Sequence, residues 1–286
     1  MSGEVQLLFR EIKQRRLFYS AKGDDFLNGV EYGMPTLIEL SGIDECVEIC
    51  KELGLQFIEI NMNMPEYQVD RLDVQALKEA SKQGIYFTFH LDENFNIADF
   101  NNKISLAYID TMLSTIEIAK EIDSPIINMH LATGVYFTLP SENVYLFEQY
   151  NDFYRNALAK FRDQCEKRAS GSNVKICIEN GNGYLPFMKD GINLLLQSDI
   201  FQLTYDIGHG YCASENDESF ILANKERLHH MHIHDAKGRN SHLVLGTGEI
   251  DIKEKLQLAI SQNCRCVLET KTVSGLRGSV DFLRTL

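Results

Sequence analysis

Residues 174–206 read VKICIENGNGYLPFMKDGINLLLQSDIFQLTYD, in which two short apolar runs lie on either side of a longer amphipathic stretch. The runs Val174–Glu179 and Gln202–Asp206 are mostly continuous, as strands covered on both faces are. The stretch Asp190–Gln197 between them has a helical pattern. A strand, a helix and a second strand in this order predict a parallel βαβ unit.

The same alternation repeats along the chain and gives eight strands and eight helices. We place the strands at Leu17–Ser20, Gln56–Ile60, Ile85–His90, Pro125–His130, Val174–Glu179, Gln202–Asp206, Leu228–Asp235 and Cys264–Glu269. We place the helices at Ile43–Leu53, Val74–Gln83, Ile104–Ile122, Val144–Arg168, Asp190–Gln197, Asp217–Glu226, Ile252–Gln262 and Gly275–Leu286. Residues 22–40 read as a long irregular segment. Eight such units predict the α/β class and a (β/α)8 TIM barrel, with its active site at the C-terminal ends of the strands.

The length of the chain agrees with one such barrel. It has 286 residues, and about 250 are typical of the fold. We find no linker, low-complexity tract or charge block that would divide the sequence. We therefore expect residues 1–286 to form a single TIM-barrel domain.

The composition bears on partners and location. The net charge of −13, from 28 basic and 41 acidic residues, disfavours nucleic acid, because such binding usually draws on a basic surface. No apolar run approaches the roughly 18 residues of a membrane span, and the N-terminus lacks the apolar core of a signal peptide. The seven cysteines include no CxxC pair, which favours buried thiols in a reducing compartment. We expect a cytoplasmic protein without a membrane partner.

The most informative residues are acids and histidines that fall at the ends of six successive strands. They are His90, His130, Glu179, Asp206 with His209 three residues on, His232 with His234 and Asp235, and Glu269. In a barrel these ends meet at one mouth, and imidazole and carboxylate are ligands that suit zinc, manganese and related ions. Any one of them alone is more typical of a hydrogen-bonded core histidine or a helix-capping acid. Their coincidence favours a divalent-metal site, whereas His229 and His230 precede the strand end and favour surface or packing roles.

Two segments carry a family likeness. Residues 232–251 read HIHDAKGRNSHLVLGTGEID and residues 90–99 read HLDENFNIAD. Together with Glu179-Asn180, Asp206-x-x-His209 and residues 268–271 (LETK), they resemble the xylose-isomerase-like TIM-barrel superfamily, over roughly residues 85 to 286. That superfamily includes sugar phosphate isomerases and epimerases as well as endonuclease IV.

The resemblance to the epimerases implies one divalent metal (zinc, manganese or cobalt) and no organic cofactor. It implies that the metal ligands are Glu179, Asp206, His232 and Glu269. Glu179 and Glu269 would also be the catalytic residues that exchange protons with the substrate. Candidate substrate-binding residues are His90, His130, His209, His234, Lys237 and Arg239. For His234 the alternative is a residue that orients a metal ligand without touching the substrate.

The resemblance to endonuclease IV implies a cluster of three zinc ions, to which His90, His130, His209 and His242 would also contribute. In those nucleases an aspartate lies two residues before the last histidine, but Asn240 stands there in this sequence. A neutral amide is a poorer zinc ligand than a carboxylate. This departure argues against the third metal.

Three functions stay open, and we rank first a metal-dependent isomerase or epimerase of a small sugar, sugar phosphate or polyol. The second is a zinc phosphodiesterase that acts on abasic DNA, and the third is a lyase or dehydratase on the same scaffold. The acidic charge favours a small carbohydrate-like substrate over a DNA duplex. An oligomer is possible.

Overall fold

In the computed structural model, residues 29–181, 183–213 and 216–286 are described. The strands, in chain order, are β1 (Glu31–Pro35), β2 (Phe57–Asn61), β3 (Tyr86–His90), β4 (Ile126–His130), β5 (Tyr136–Thr138), β6 (Asn143–Tyr145), β7 (Lys175–Glu179), β8 (Phe201–Asp206), β9 (Leu228–Ile233), β10 (Asp235–Lys237), β11 (Asn240–Leu243) and β12 (Arg265–Leu268). Eight of these described strands are parallel and form a closed barrel in the order β1-β12-β9-β8-β7-β4-β3-β2. The predicted (β/α)8 barrel is therefore confirmed.

The first barrel strand differs from our prediction. We assigned that place to Leu17–Ser20, which lies outside the described residues. In the structure the place is taken by β1, which pairs with β12 on one side and with β2 on the other. Glu31–Pro35 lies in the segment that we expected to be irregular, because a run with one glycine and one proline (EYGMP) lacks the β-branched residues that mark a strand.

The helices surround the barrel and follow the predicted alternation. The described α-helices are α1 (Gly42–Leu53), α2 (Val74–Ser81), α3 (Asn102–Glu121), α4 (Leu146–Gln149), α5 (Asn151–Ala169), α6 (Pro186–Leu195), α7 (Ile207–Cys212), α8 (Asn216–Ala223), α9 (Ile252–Gln262) and α10 (Val273–Leu283). The predicted helix Val144–Arg168 is wrong at its start, because Val144 lies in β6, which forms a hairpin with β5. A second hairpin, β10 with β11, follows β9. Among the described helices, none combines the length and the apolar character that a bilayer span requires.

The inside of the barrel is polar toward the mouth. Because side chains alternate between the two faces of a strand, every second residue of a barrel strand points inward. These inward residues are Glu59, Thr88, Asn128, Thr204 and His230 at a deeper level, and His90, His130, Glu179, Asp206 and His232 at the mouth. All of them except His130 are buried. The core lies between the strands and the helices, where apolar strand residues such as Ile58, Ile60 and Phe87 pack.

Candidate metal centre

The mouth of the barrel brings together three carboxylates and one imidazole. Ligand atoms of Glu179, Asp206, His232 and Glu269 all lie within 4.8 Å of one another. His232 Nδ1 lies 3.1 Å from Glu179 Oε1, 3.0 Å from Glu269 Oε2 and 3.9 Å from Asp206 Oδ2. The resemblance implied these four residues as the ligand set.

The chain reaches this geometry through local features of its strands. Between β8 and β9 the register shifts by one residue at His229, so that Thr204 pairs with His230 and Asp206 with His232. Such a bulge changes the direction in which the following side chains point. The side chain of Asn180 continues the ladder after β7, because it donates to Asp206 O at 2.9 Å and accepts from Asp206 N at 2.8 Å. Asp206 is therefore held by its backbone as well as by its neighbours.

The donor set fits a divalent cation. Glu269 Oε2 and His209 Nδ1 are buried side-chain atoms without a hydrogen-bond partner in the described part of the chain. His209 Nδ1 lies 3.3 Å from Asp206 Oδ2 and 3.7 Å from Glu179 Oε1, so it faces the same space. Carboxylates packed this closely repel one another, and a cation among them removes that cost.

The two candidate catalytic glutamates are held in the ionised form. Burial opposes the ionisation of Glu179, but the imidazoles of His232 and His130 hold its pKa well below the usual range. Burial also opposes the ionisation of Glu269, yet His232 and Lys271 hold its pKa well below the usual range. Ionised carboxylates are the form that binds a cation and accepts a proton.

Glu59 is a site residue that the sequence analysis missed. Its carboxylate accepts from Thr88 at 3.1 Å and from His230 Nε2 at 2.9 Å, and it lies 2.8 Å from His232 Nε2. His230 is therefore a buried partner of this carboxylate, whereas we had favoured a surface or packing role for it. One signal was present, since Glu59 is an acid inside the otherwise apolar run FIEI.

Asn128 is a second missed residue, and it lies beneath Glu179. Its side-chain amide donates to Glu179 Oε2, and its own Oδ1 accepts from Thr204 at 2.6 Å. The amide thus fixes the carboxylate of Glu179 from below. Its position two residues before His130 on the same strand was the available signal, because alternate residues share a face.

His90 and His130 lie on the far side of Glu179. His90 Nε2 is 3.1 Å and His130 Nε2 is 3.6 Å from Glu179 Oε2, and Glu93 Oε2 is 3.5 Å from His130 Nε2. His90 Nδ1 contacts Leu91 O at 2.7 Å, as a donor. A nitrogen of each histidine therefore faces the candidate centre, and ligand atoms of His90, Glu93 and His130 form a further group within 4.8 Å.

His209, His234 and His242 form a third group within 4.8 Å. His234 Nδ1 accepts from His242 N at 2.9 Å, so its other nitrogen carries the proton and donates to Asp206 Oδ2 at 3.0 Å. Because His234 is fully buried and both its nitrogens are engaged, it orients Asp206. Of the two roles left open for His234, contact with substrate or orientation of a metal ligand, these contacts favour the second.

The two cationic side chains that we predicted to bind substrate do not lie beside the candidate metal ligands. Lys237 and Arg239 are exposed at the β10–β11 hairpin, and neither side chain forms a hydrogen bond or ion pair with residues 29–181, 183–213 or 216–286. The cation beside the candidate ligands is Lys271, whose Nζ lies 2.9 Å from Glu269 Oε1. Lys271 follows Glu269 by two residues and was not among the residues predicted for the site.

The fold and this cluster define a (β/α)8 barrel with a candidate divalent-metal centre at its mouth. The chain belongs to the xylose isomerase-like TIM barrel family, whose model matches residues 47–286. The resemblance that we drew from the sequence is thereby confirmed.

Among sequence relatives, an uncharacterized protein of Methanocaldococcus jannaschii is 24% identical over 216 residues, or 72% of this chain and 75% of the relative. Among solved structures, a D-tagatose 3-epimerase-like protein has a TM-score of 0.72 at 21% identity, covering 90% of this chain and 96% of its own. The 3-keto-D-glucoside 4-epimerase of E. coli has a TM-score of 0.71 at 18% identity, covering 90% and 100%. The IolI protein, solved with a bound zinc atom, has a TM-score of 0.66 at 16% identity, covering 90% and 94%. At these identities the structural likeness shows the fold.

Proposed function

We propose that this chain is a divalent-metal-dependent isomerase or epimerase of a small sugar, sugar phosphate or polyol. The observation that carries the proposal is the pair of glutamates, Glu179 and Glu269, whose carboxylates lie 3.1 Å and 3.0 Å from His232 Nδ1. The epimerase names of two proteins with the same fold support it. Their identities to this chain are low, so the activity is our inference.

Glu179, Asp206, His232 and Glu269 would hold the metal. A divalent cation at this position supplies a Lewis acid that binds substrate oxygens and stabilises negative charge on a carbonyl oxygen. The zinc atom in the IolI structure is consistent with such a site on this fold.

The two glutamates would move the proton. Epimerisation beside a carbonyl requires a base that takes the proton from carbon and an acid that returns a proton to the other face. One glutamate, ionised, would be the base, and the other would have to take up a proton in the substrate complex before it could act as the acid. The side chain of Glu269 is 15% exposed and that of Glu179 is 1% exposed, so Glu269 is the group that solvent and substrate reach first. Asn128 and His90, which donate to Glu179 Oε2, would hold the second glutamate still while it acts.

The rim of the mouth would bind hydroxyl groups. The side chains of His130, His209 and His242 are 17%, 25% and 17% exposed. Imidazoles donate and accept hydrogen bonds, as hydroxyl-rich substrates require. The exposed Lys237 and Arg239 lie on the hairpin that follows β9, and their contact with substrate stays a proposal.

A zinc phosphodiesterase is the second candidate, because His90 and His130 face Glu179 Oε2 and could hold another ion there. The net charge of −13 counts against it, since DNA binding draws on cationic surface. The third candidate, a lyase or dehydratase, would use the same glutamates to take a proton before a hydroxyl group leaves.

The function is tested by incubating the protein with ketoses in D2O, separately with manganese, cobalt and zinc. We expect an epimer or isomer that carries one deuterium on the carbon that exchanged its proton. Glu269→Gln and Glu179→Gln should each abolish turnover without loss of fold, while exposed Glu166→Gln should leave it unchanged. If no sugar, sugar phosphate or polyol exchanges a proton while abasic DNA is cleaved, the second candidate replaces the first.

A further inference from the structure

The Glu59 carboxylate lies deeper in the barrel than the candidate metal ligands, and its two oxygens have different partners. Glu59 is 2% exposed. Its Oε2 accepts from the Thr88 hydroxyl at 3.1 Å and from His230 Nε2 at 2.9 Å. Its Oε1 lies 2.8 Å from His232 Nε2. Because Thr88 and His230 both donate to Oε2, Oε1 is the oxygen that interacts with His232.

The proton on His230 follows from its contacts. His230 is fully buried, and its Nδ1 has no hydrogen-bond partner among the described residues. A buried polar nitrogen without a partner is less costly as a lone pair on a neutral ring than as part of a cation. His230 is therefore a neutral imidazole that donates from Nε2, and Glu59 is the ionised acceptor.

His232 has carboxylates on both sides of its ring. Nε2 faces Glu59, and Nδ1 faces Glu179 and Glu269 at 3.1 Å and 3.0 Å. A neutral imidazole has one N–H, and the hydrogen bond at one nitrogen decides which nitrogen is free to bind a metal.

We propose that Glu59 is a positioning residue that keeps the His232 proton on Nε2 and so presents the Nδ1 lone pair to a divalent cation. This inference rests on the proposed metal-dependent function. His232 Nε2 lies 2.8 Å from Glu59 Oε1, but the pair does not have the geometry of a hydrogen bond. The negative charge of Glu59 therefore stabilises the proton on Nε2 mainly by electrostatic attraction. Buried as it is, Glu59 acts through His232 and does not meet the substrate.

The test is the zinc affinity of the metal-stripped full chain, measured by competition with a chelator of known affinity. Glu59→Gln keeps the size of the side chain and removes its charge. We expect it to bind zinc about 10- to 100-fold more weakly, as removal of such a partner does at other metal sites. Glu59→Asp, which keeps the charge, should recover part of the affinity. The exposed Glu48→Gln is the matched control and should bind as the wild type does.

A second readout separates positioning from a purely structural role. In the zinc-loaded wild type, ¹⁵N NMR should show His232 protonated at Nε2 and metal-bound at Nδ1, and Glu59→Gln should weaken this preference. Circular dichroism establishes which variants fold. If Glu59→Gln does not fold, the test passes to Glu59→Asp, which must then bind zinc more weakly than the wild type. Folded variants with wild-type zinc affinity would overturn the role of Glu59 alone. A wild type that binds zinc but exchanges no substrate proton would overturn the proposed reaction alone, and a wild type that binds no zinc would overturn both.

Discussion

At the residue scale, His232 is where a proton and a cation compete for one position. Burial lowers the pKa of His232, but the charges of Glu179 and Glu59 raise it well above the usual value. Without a cation the ring is therefore protonated, and Nδ1 carries a proton between Glu179 and Glu269. A divalent ion at the same place must displace that proton.

This competition predicts a pH-dependent metal affinity. Burial lowers the pKa of His90, but its hydrogen bond to Glu179 and the charge of that carboxylate raise it to about 9. His232 and His90 therefore each hold a proton that a cation at Glu179 would displace. Each proton dissociates more readily as pH rises. We expect zinc affinity to rise from pH 6.5 toward pH 9, by about tenfold per pH unit for each proton released. Calorimetry in two buffers of different ionisation enthalpy counts these protons, and a count of zero would contradict this assignment.

The mouth residues could be predicted because each one ends a strand in a recognisable segment, such as Glu179-Asn180 or Asp206-x-x-His209. Their roles as ligands and bases stay predictions. Glu59 could not be placed, because its partner His230 is 171 residues away and only closure of the barrel makes them neighbours. His234 was placed at the site with two roles open, because the sequence does not show that its ring turns to Asp206.

At the element scale, Asn180 joins β7 to β8 at the point where the site begins. Asn180→Ala would leave two buried backbone groups of Asp206 without partners. We expect a loss of about 3 kcal/mol in the free energy of unfolding, together with weaker metal binding because Asp206 is no longer fixed. Urea denaturation and chelator competition measure the two effects. The exposed Asn156→Ala is the control, and a stability loss no larger than that of the control would contradict the role of Asn180.

Helix α7 begins directly after Asp206, and Gly208 in this helix makes room for His234. An ideal Cβ on Gly208 would lie 1.9 Å from Cε1 of the His234 ring. Gly208→Ala should therefore push His234 away from Asp206 and weaken zinc binding. The control is Gly54→Ala, at the end of α1, where a Cβ meets nothing within 4 Å and the positive φ of 75° alone is unfavourable. Gly54→Ala should lower the free energy of unfolding by about 1 kcal/mol without a change in zinc affinity. Equal zinc affinities in Gly208→Ala and Gly54→Ala would contradict the role assigned to His234.

Seven of the eight barrel strands were predicted at nearly their observed positions, because their apolar runs are continuous and each is separated from the next by a helical pattern. The exception was β1. Tyr32 and Met34 are buried in it, but Gly33 and Pro35 break the pattern by which a strand is recognised. Gly33 is required there because a Cβ would lie 2.4 Å from the ring of Phe57. The need for a small residue is a tertiary effect that propensity does not report.

At the scale of the whole molecule, one closed barrel carries carboxylates and histidines from strands that are far apart in sequence. Glu59 on β2 and Glu269 after β12 both approach His232 on β9, and only closure brings these three positions together. The surplus of acidic residues agrees with a cation at the mouth and a small substrate. That residues 1–286 form a single domain, and that the protein is cytoplasmic, stay predictions.

Elemental analysis of the purified chain measures whether the mouth of this barrel holds a divalent metal. The protein should be prepared without added metal, and a sample stripped with chelator should then be titrated with zinc. We predict one ion per chain, reduced in Asp206→Asn and retained in the exposed Glu166→Gln. No metal as purified and no uptake on titration would contradict a metal centre at the mouth of the barrel.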